Sequence, residues 1–279
     1  MKALSEMALL ANLTISQWTA RKYDISITRK IERDHNTHNA GRFNKILVAE
    51  NALQEITKKA SQARAFLRTN TLPWGDTGDR ILPSTNYFEV VAQLKTYKGE
   101  FDAAVNNFVR QYPTLKEDAR RRLNGMFQEA DYPTLTTIQS KFNFEVTFLP
   151  IPDTEDFRLK LNSEEVNKLK VKIESEINTR FSQATKDIWL RIKEAVEHMV
   201  ERLSEEKAIF RDSLITNIEE MIKILPRLNF TGDKDISATI ESMKTLIVHP
   251  DTLRKSPVIR NKKAQEAKAI LDKISDFLG

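Results

Sequence analysis

From Ile173 to Leu203 the apolar residues Ile173, Ile177, Phe181, Ala184, Ile188, Ile192, Ala195, Met199 and Leu203 follow one another at spacings of 4, 4, 3, 4, 4, 3, 4 and 4. An eleven-residue period of about 3.67 residues per turn predicts a straight or slightly right-handed seam, not the left-handed coil of strict heptads. Asn162-Ser163-Glu164-Glu165 opens this segment, with Ser163 placed to cap it and acids in the first turn, where the helix dipole favours them. Over residues 162–204 such a helix is roughly 60 Å long at about 1.5 Å per residue. A greasy stripe on so long a rod predicts either an extended bundle or pairing with a second copy of the chain.

The composition agrees with a helical chain. Only 7 Gly and 9 Pro occur in 279 residues, against 30% charged residues, which argues against a sandwich, a doubly wound nucleotide fold or a disordered tail. The absence of cysteine excludes disulfides, thiolate zinc sites and a cysteine nucleophile. No apolar run approaches the roughly 18 residues of a membrane span, and the stretch Met7 to Leu13 lacks the basic leader of a secretory signal, so a cytoplasmic location and no membrane partner are expected. The net charge of +5 is uneven: residues 1–142 carry +6 and residues 143–279 carry −1. That bias is compatible with a polyanionic partner without requiring one.

Along the chain, Ser16 is placed to cap a helix running through Trp18, Tyr23 and Ile27 to about Asp34, and a long amphipathic helix is expected from Arg42 to about Thr69. A Pro/Gly/Trp loop follows over residues 72–83. Ser84 and Thr85 can cap a helix reaching Gln111, with Pro113 starting a third that ends near Ala130. The period then drops to two: Phe144, Val146 and Phe148 alternate with polar residues, as do Phe157, Leu159 and Leu161, predicting a loose antiparallel ribbon. Beyond the long rod, helices are expected over residues 206–225, stopped by Pro226, then over 236–248 and 258–278, with a turn at Gly232. The fold class expected is therefore mainly α, an elongated bundle of long helices with one small antiparallel β-ribbon. Its divisions fall at residues 1–142, 143–161 and 162–279.

Residues that could carry chemistry are few. Glu194, Glu197, His198 and Glu201 share a helix surface, as metal ligands in bundles do, but no second Glu-x-x-His accompanies them, and a solvated charged face accounts for them. No nucleophile elbow, phosphate loop or dinucleotide fingerprint is present. No catalytic residue, metal site or cofactor is assigned. In the loop, Trp74, Asp76, Asp79 and Arg80 are candidate partner-binding residues, since a tryptophan there gains most when a partner, or the fold itself, covers it. A structural plug is the competing reading. Lys116, Arg120, Arg121 and Arg122 form the densest basic run and are candidate phosphate contacts, with a solvated helix face as the alternative.

Several phrases together carry a family resemblance: Ser16-Gln-Trp-Thr-Ala-Arg-Lys-Tyr-Asp24, Ala40-Gly-Arg-Phe-Asn-Lys45, Thr71-Leu-Pro-Trp-Gly-Asp-Thr-Gly-Asp-Arg-Ile-Leu-Pro83, Phe144-Glu-Val-Thr-Phe148 and Leu225-Pro-Arg-Leu-Asn-Phe-Thr-Gly-Asp233. Over most of its length the chain resembles a family of proteins of large tailed bacteriophages, some encoded beside cobaltochelatase-like AAA+ and von Willebrand factor A proteins. The resemblance implies a phage origin and a role in the host cytoplasm, and it brings no catalytic residues. The functional expectation is a non-enzymatic scaffold or adaptor working by protein-protein interaction, as a homo-oligomer and as a partner of an AAA+ machine. The alternatives are a nucleic-acid-binding protein of phage replication, recombination or host takeover, and an inhibitor of a host defence enzyme.

Overall fold

The computed structural model describes residues 4–75, 78–152, 163–205 and 211–278. In chain order its elements are α1 (Leu4–Met7), β1 (Ala8–Ser16), β2 (Arg21–Tyr23), α2 (Ile25–Asp34), β3 (Asn44–Ile46), α3 (Gln54–Thr69), β4 (Leu72–Pro73), β5 (Arg80–Pro83), α4 (Tyr87–Leu123), α5 (Leu135–Gln139), β6 (Asn143–Pro150), α6 (Ser163–Ser204), α7 (Ser213–Leu228), α8 (Lys234–Lys244), α9 (Pro250–Lys255) and α10 (Pro257–Leu278). The protein is mainly α, with long helices and a small sheet of order β4-β5-β1-β6, in which β5 pairs antiparallel with both β1 and β4. A second, two-stranded ladder joins β2 to β3. Among the described residues, no helix is long and apolar enough to cross a membrane.

The chain packs as two units, each assembled from separated segments. One comprises residues 13–66 and 91–146; the other comprises 1–12, 67–90 and 147–279. The stretch expected as one region, 1–142, therefore contributes to both.

In the unit of residues 13–66 and 91–146, α4 buries Phe101, Val105, Phe108, Tyr112 and Ala119 on one face, and α3 adds Ile56, Ala60 and Ala63. Pro113 lies inside α4 instead of starting a new helix. Proline removes one backbone hydrogen bond, but Phe108 and Tyr112 before it and Ala119 after it share the buried face, and a break would expose them. The helix expected from Ser16 is absent. Residues up to Ser16 form β1, and α2 begins only at Asp24, whose carboxylate accepts from the Ser26 and Ile27 backbone N–H groups at 3.1 Å each. The helix expected from Arg42 starts at Gln54, because Asn44–Ile46 pair with β2 and Leu47 and Val48 are buried.

Lys45 in β3 is the one buried lysine among the described residues, 2% exposed. Its ammonium lies 3.1 Å from an Asp24 carboxylate oxygen and 2.6 Å from one of Asp131, and donates to the Met126 carbonyl at 3.3 Å. Burial pulls its proton affinity down, yet the bonds to Asp131 and Asp24 outweigh this and leave it raised. Asp24 is held down to about 2, first by the Ser26 hydroxyl, then by the Ile27 N–H, with Lys45 adding to them against burial.

The other unit is built on α6. Of the expected stripe, Phe181, Ala184, Ile188, Ile192, Met199 and Leu203 are buried; Ala195 is half-buried, and Val196 next to it is buried in its place. The stripe is covered by the same chain, through Leu214, Ile215, Ile218, Leu225 and Leu228 of α7, Ile236, Ile240 and Met243 of α8, and Ala267, Ile270 and Ile274 of α10. Trp189 stacks flat on Phe277 of α10, centroids 4.4 Å apart. From Phe181 onward no second copy is needed. The first turns of α6 differ: Val171 is 67% exposed and no residue before Phe181 is buried. α7 passes through Pro226 to Leu228, and the 229–233 turn is stitched by Asn229, whose side chain accepts from Asp233 N–H and donates to Asp233 C=O, with Gly232 at φ 73°. α9, between His249 and Ser256, was not expected. In β6 the alternation of Phe144, Val146 and Phe148 is present, and its sheet neighbour is β1; the proposed second arm, Phe157 to Leu161, lies outside the described residues.

Replacing Lys45 with Met leaves two enclosed carboxylates facing each other and is expected to destabilise the protein by about 3 kcal/mol in urea denaturation. Asp24 binds its proton less readily when folded than the usual value near 3.9, so its contribution is present above about pH 4 and is lost as pH falls towards about 2. Urea midpoints measured across that window should fall less steeply for Asp24→Asn than for the parent.

Candidate functional site

A groove able to receive a ligand lies within the unit built on α6. Asp187, Leu190, Arg191, Glu194, Ala195 and His198 recur at three- and four-residue steps along one face of α6, and Leu214, Asn217, Glu220, Met221 and Ile224 along one face of α7. With Arg68, Thr69 and Arg80 they line an open groove of about 650 Å³, within the roughly 300–1,000 Å³ common for ligand sites. Leu190 is 40% exposed, and Ala195, Met221 and Ile224 are half-buried, so the floor is apolar and partly wet.

One corner is built from arginines. Arg191 donates to the carbonyls of Thr69 at 2.9 Å, Arg68 at 3.1 Å and Thr71 at 2.8 Å, while its Nε lies 2.7 Å from Asp187. Arg80 donates from Nε to the Thr71 hydroxyl at 2.6 Å and from Nη2 to the carbonyls of Thr71 at 3.1 Å and Arg68 at 3.3 Å. These carbonyls lie at and just beyond the C-terminal end of α3, where unsatisfied C=O groups and the negative end of the helix dipole favour cations. Two guanidiniums are thus fixed by the backbone. Burial first, and then repulsion from Arg191 and Arg68 against attraction to Asp187, pulls the Arg80 guanidinium down to about 10. Arg68, by contrast, has an exposed side chain with no hydrogen bond or ion pair to another described residue.

The residues singled out in the sequence fall elsewhere or serve other ends. Trp74 is 6% exposed: its ring meets Phe181 edge-on at 5.9 Å, Arg180 lies 5.1 Å over it, and Arg180 donates to its carbonyl at 2.5 Å. It is a core residue, which corrects its reading as a partner contact. The turn is shaped for this, since Gly75 has φ +142° and a Cβ there would come within 2.7 Å of the Arg180 guanidinium. Asp79 accepts from the Asn12 amide at 2.9 Å, and its carbonyl accepts from Trp74 N–H at 3.3 Å. Asp76 lies outside the described residues. Of the three that are described, Arg80 alone lines the groove.

The basic run belongs to the other unit and is engaged there. Lys116 and Arg120 both pair with Glu129, Arg120 lies 4.5 Å over the Phe127 ring, Arg121 pairs with Asp118, and Arg122 donates to the Ile46 carbonyl at 2.6 Å. A phosphate would have to displace these partners. Glu194 and His198 line the groove, and among the described residues no three His, Asp or Glu side chains form a metal-ligand set. Arg191 and Arg68 were missed because each reads as an ordinary charge on a helix; only the i,i+4 spacing of Asp187 and Arg191 hinted at an ordered pair. No protein-family model, curated protein or solved structure matches the chain.

Trp74→Ala is expected to cost about 3 kcal/mol or more, by removing a buried ring from its contacts with Phe181 and Arg180. Calorimetric melting checks this, and an unchanged melting temperature would return the ring to a surface role.

Proposed function

We propose that this protein is a non-enzymatic helical adaptor or scaffold of bacteriophage origin that acts by protein-protein interaction in the host cytoplasm, with an AAA+ machine among its candidate partners. The observation that carries this reading is the α6–α7 groove, where two parallel rows of side chains on neighbouring helices flank a half-exposed apolar floor under a charged rim. Amphipathic helices are received in grooves of this kind. The early turns of α6 supply a separate surface for self-association, since Val166, Leu169 and Ile173 recur there at three and four residues, half-buried, and an apolar row along a helix gains by meeting a copy of itself.

Two measurements test the two surfaces. Leu190→Glu places a charge on the exposed apolar part of the groove, and affinity capture from infected cells, compared with the parent protein, should lose the principal partner while the circular dichroism melt stays unchanged; retention of that partner would remove the groove as the working surface. Light scattering coupled to size exclusion should show an oligomer for the parent and a lighter species for Ile173→Glu. A parent that stays monomeric across micromolar concentrations would end the self-association part.

A further inference from the structure

Resting on that adaptor reading, we infer that the Arg68–Arg80–Arg191 corner anchors the acidic end of an amphipathic helix contributed by a protein partner. Among the described residues, only Arg191 of the three guanidiniums is ion-paired, with Asp187; the other carboxylates of the groove, Glu194 and Glu220, make no ion pair with Arg68 or Arg80. Arg80 and Arg191 are already held by backbone carbonyls and lose little further freedom when an anion arrives. Arg68 stands at the rim with its donors unclaimed by other described residues, and a guanidinium takes a carboxylate in a paired, charge-assisted geometry.

The remainder of the groove selects a helix over a simple anionic amphiphile. From Asp187 to His198 it follows α6 for about 16 Å, the length of three helical turns. Glu194 and Glu220 stand exposed along its walls. An acyl chain leaves those carboxylates unanswered, whereas a peptide helix presents lysines to them while its leucines fill the floor. The occupant therefore carries acidic residues in its terminal turn, leucine-like residues at i, i+3, i+4 and i+7, and basic residues on its flanks.

The test uses the full chain and a fluorescein-labelled helical peptide of about twelve residues. Its terminal turn holds a Glu pair, leucines occupy one face and lysines the flanks; a control replaces the Glu pair with Lys. Fluorescence anisotropy should show saturable binding of the Glu peptide and at least about tenfold weaker binding of the control. Arg68→Glu, whose exposed side chain leaves the melt unchanged, should reverse that preference. Equal affinity for the two peptides, no binding of either, or no effect of Arg68→Glu would overturn the inference. Saturable binding of dodecyl phosphate with no binding of either peptide would overturn it in favour of an anionic amphiphile. If Leu190→Glu loses the captured partner and Arg68→Glu does not, this inference falls while the adaptor reading stands.

Discussion

Hiding one side of α6 from water is the requirement on which its unit rests. Eight side chains from Phe181 to Leu203 are buried along it, and each is worth roughly 1.5–3 kcal/mol once removed from water, alanine less. α7, α8, α10 and the Trp74 turn share that line, with α10 running along α6 for a comparable length. The position of the groove residues on α6 follows: Asp187, Leu190, Arg191, Glu194, Ala195 and His198 lie along the flank of the helix beside the fully buried stripe. The groove is what remains open after the core has been satisfied.

A second dependence concerns α3. Its last carbonyls are met by side chains of Arg80 and Arg191, from a turn and a helix far along the chain, not by a glycine cap. This ties the arginines to the fold as well as to the groove, and makes Arg68 the one member of the corner free of structural duty among the described residues. In the other unit Lys45 has the corresponding place, holding the α2 cap residue Asp24 and Asp131 around one ammonium.

The long helices were legible because their periodicity accumulates over many turns: α6 ends at Ser204 as its spacing implies, and α10 covers the expected stretch. The strands were less so. β2 and β3 are three residues each and exist because they pair with one another, which no local pattern records. Prolines misled in the same direction twice, at Pro113 and Pro226, where burial on both sides outweighs the lost hydrogen bond. Of the site, Arg80 was visible as a charged loop residue. Its companions Arg68 and Arg191 were not, since their common role depends on backbone carbonyls brought to them by tertiary structure.

The interleaving of the two units has a consequence for how the chain is made. Residues 13–66 and 91–146 complete one unit well before α6 has been synthesised, whereas residues 4–12 and 67–90 must wait for the segment after residue 147. During translation, β5 finds β1 and β4 already made, but these strands and the Trp74 turn emerge before the α6 side chains that share their core. Cutting the chain at any one peptide bond cannot yield the α6 unit intact, because its earlier strands would leave with the other piece.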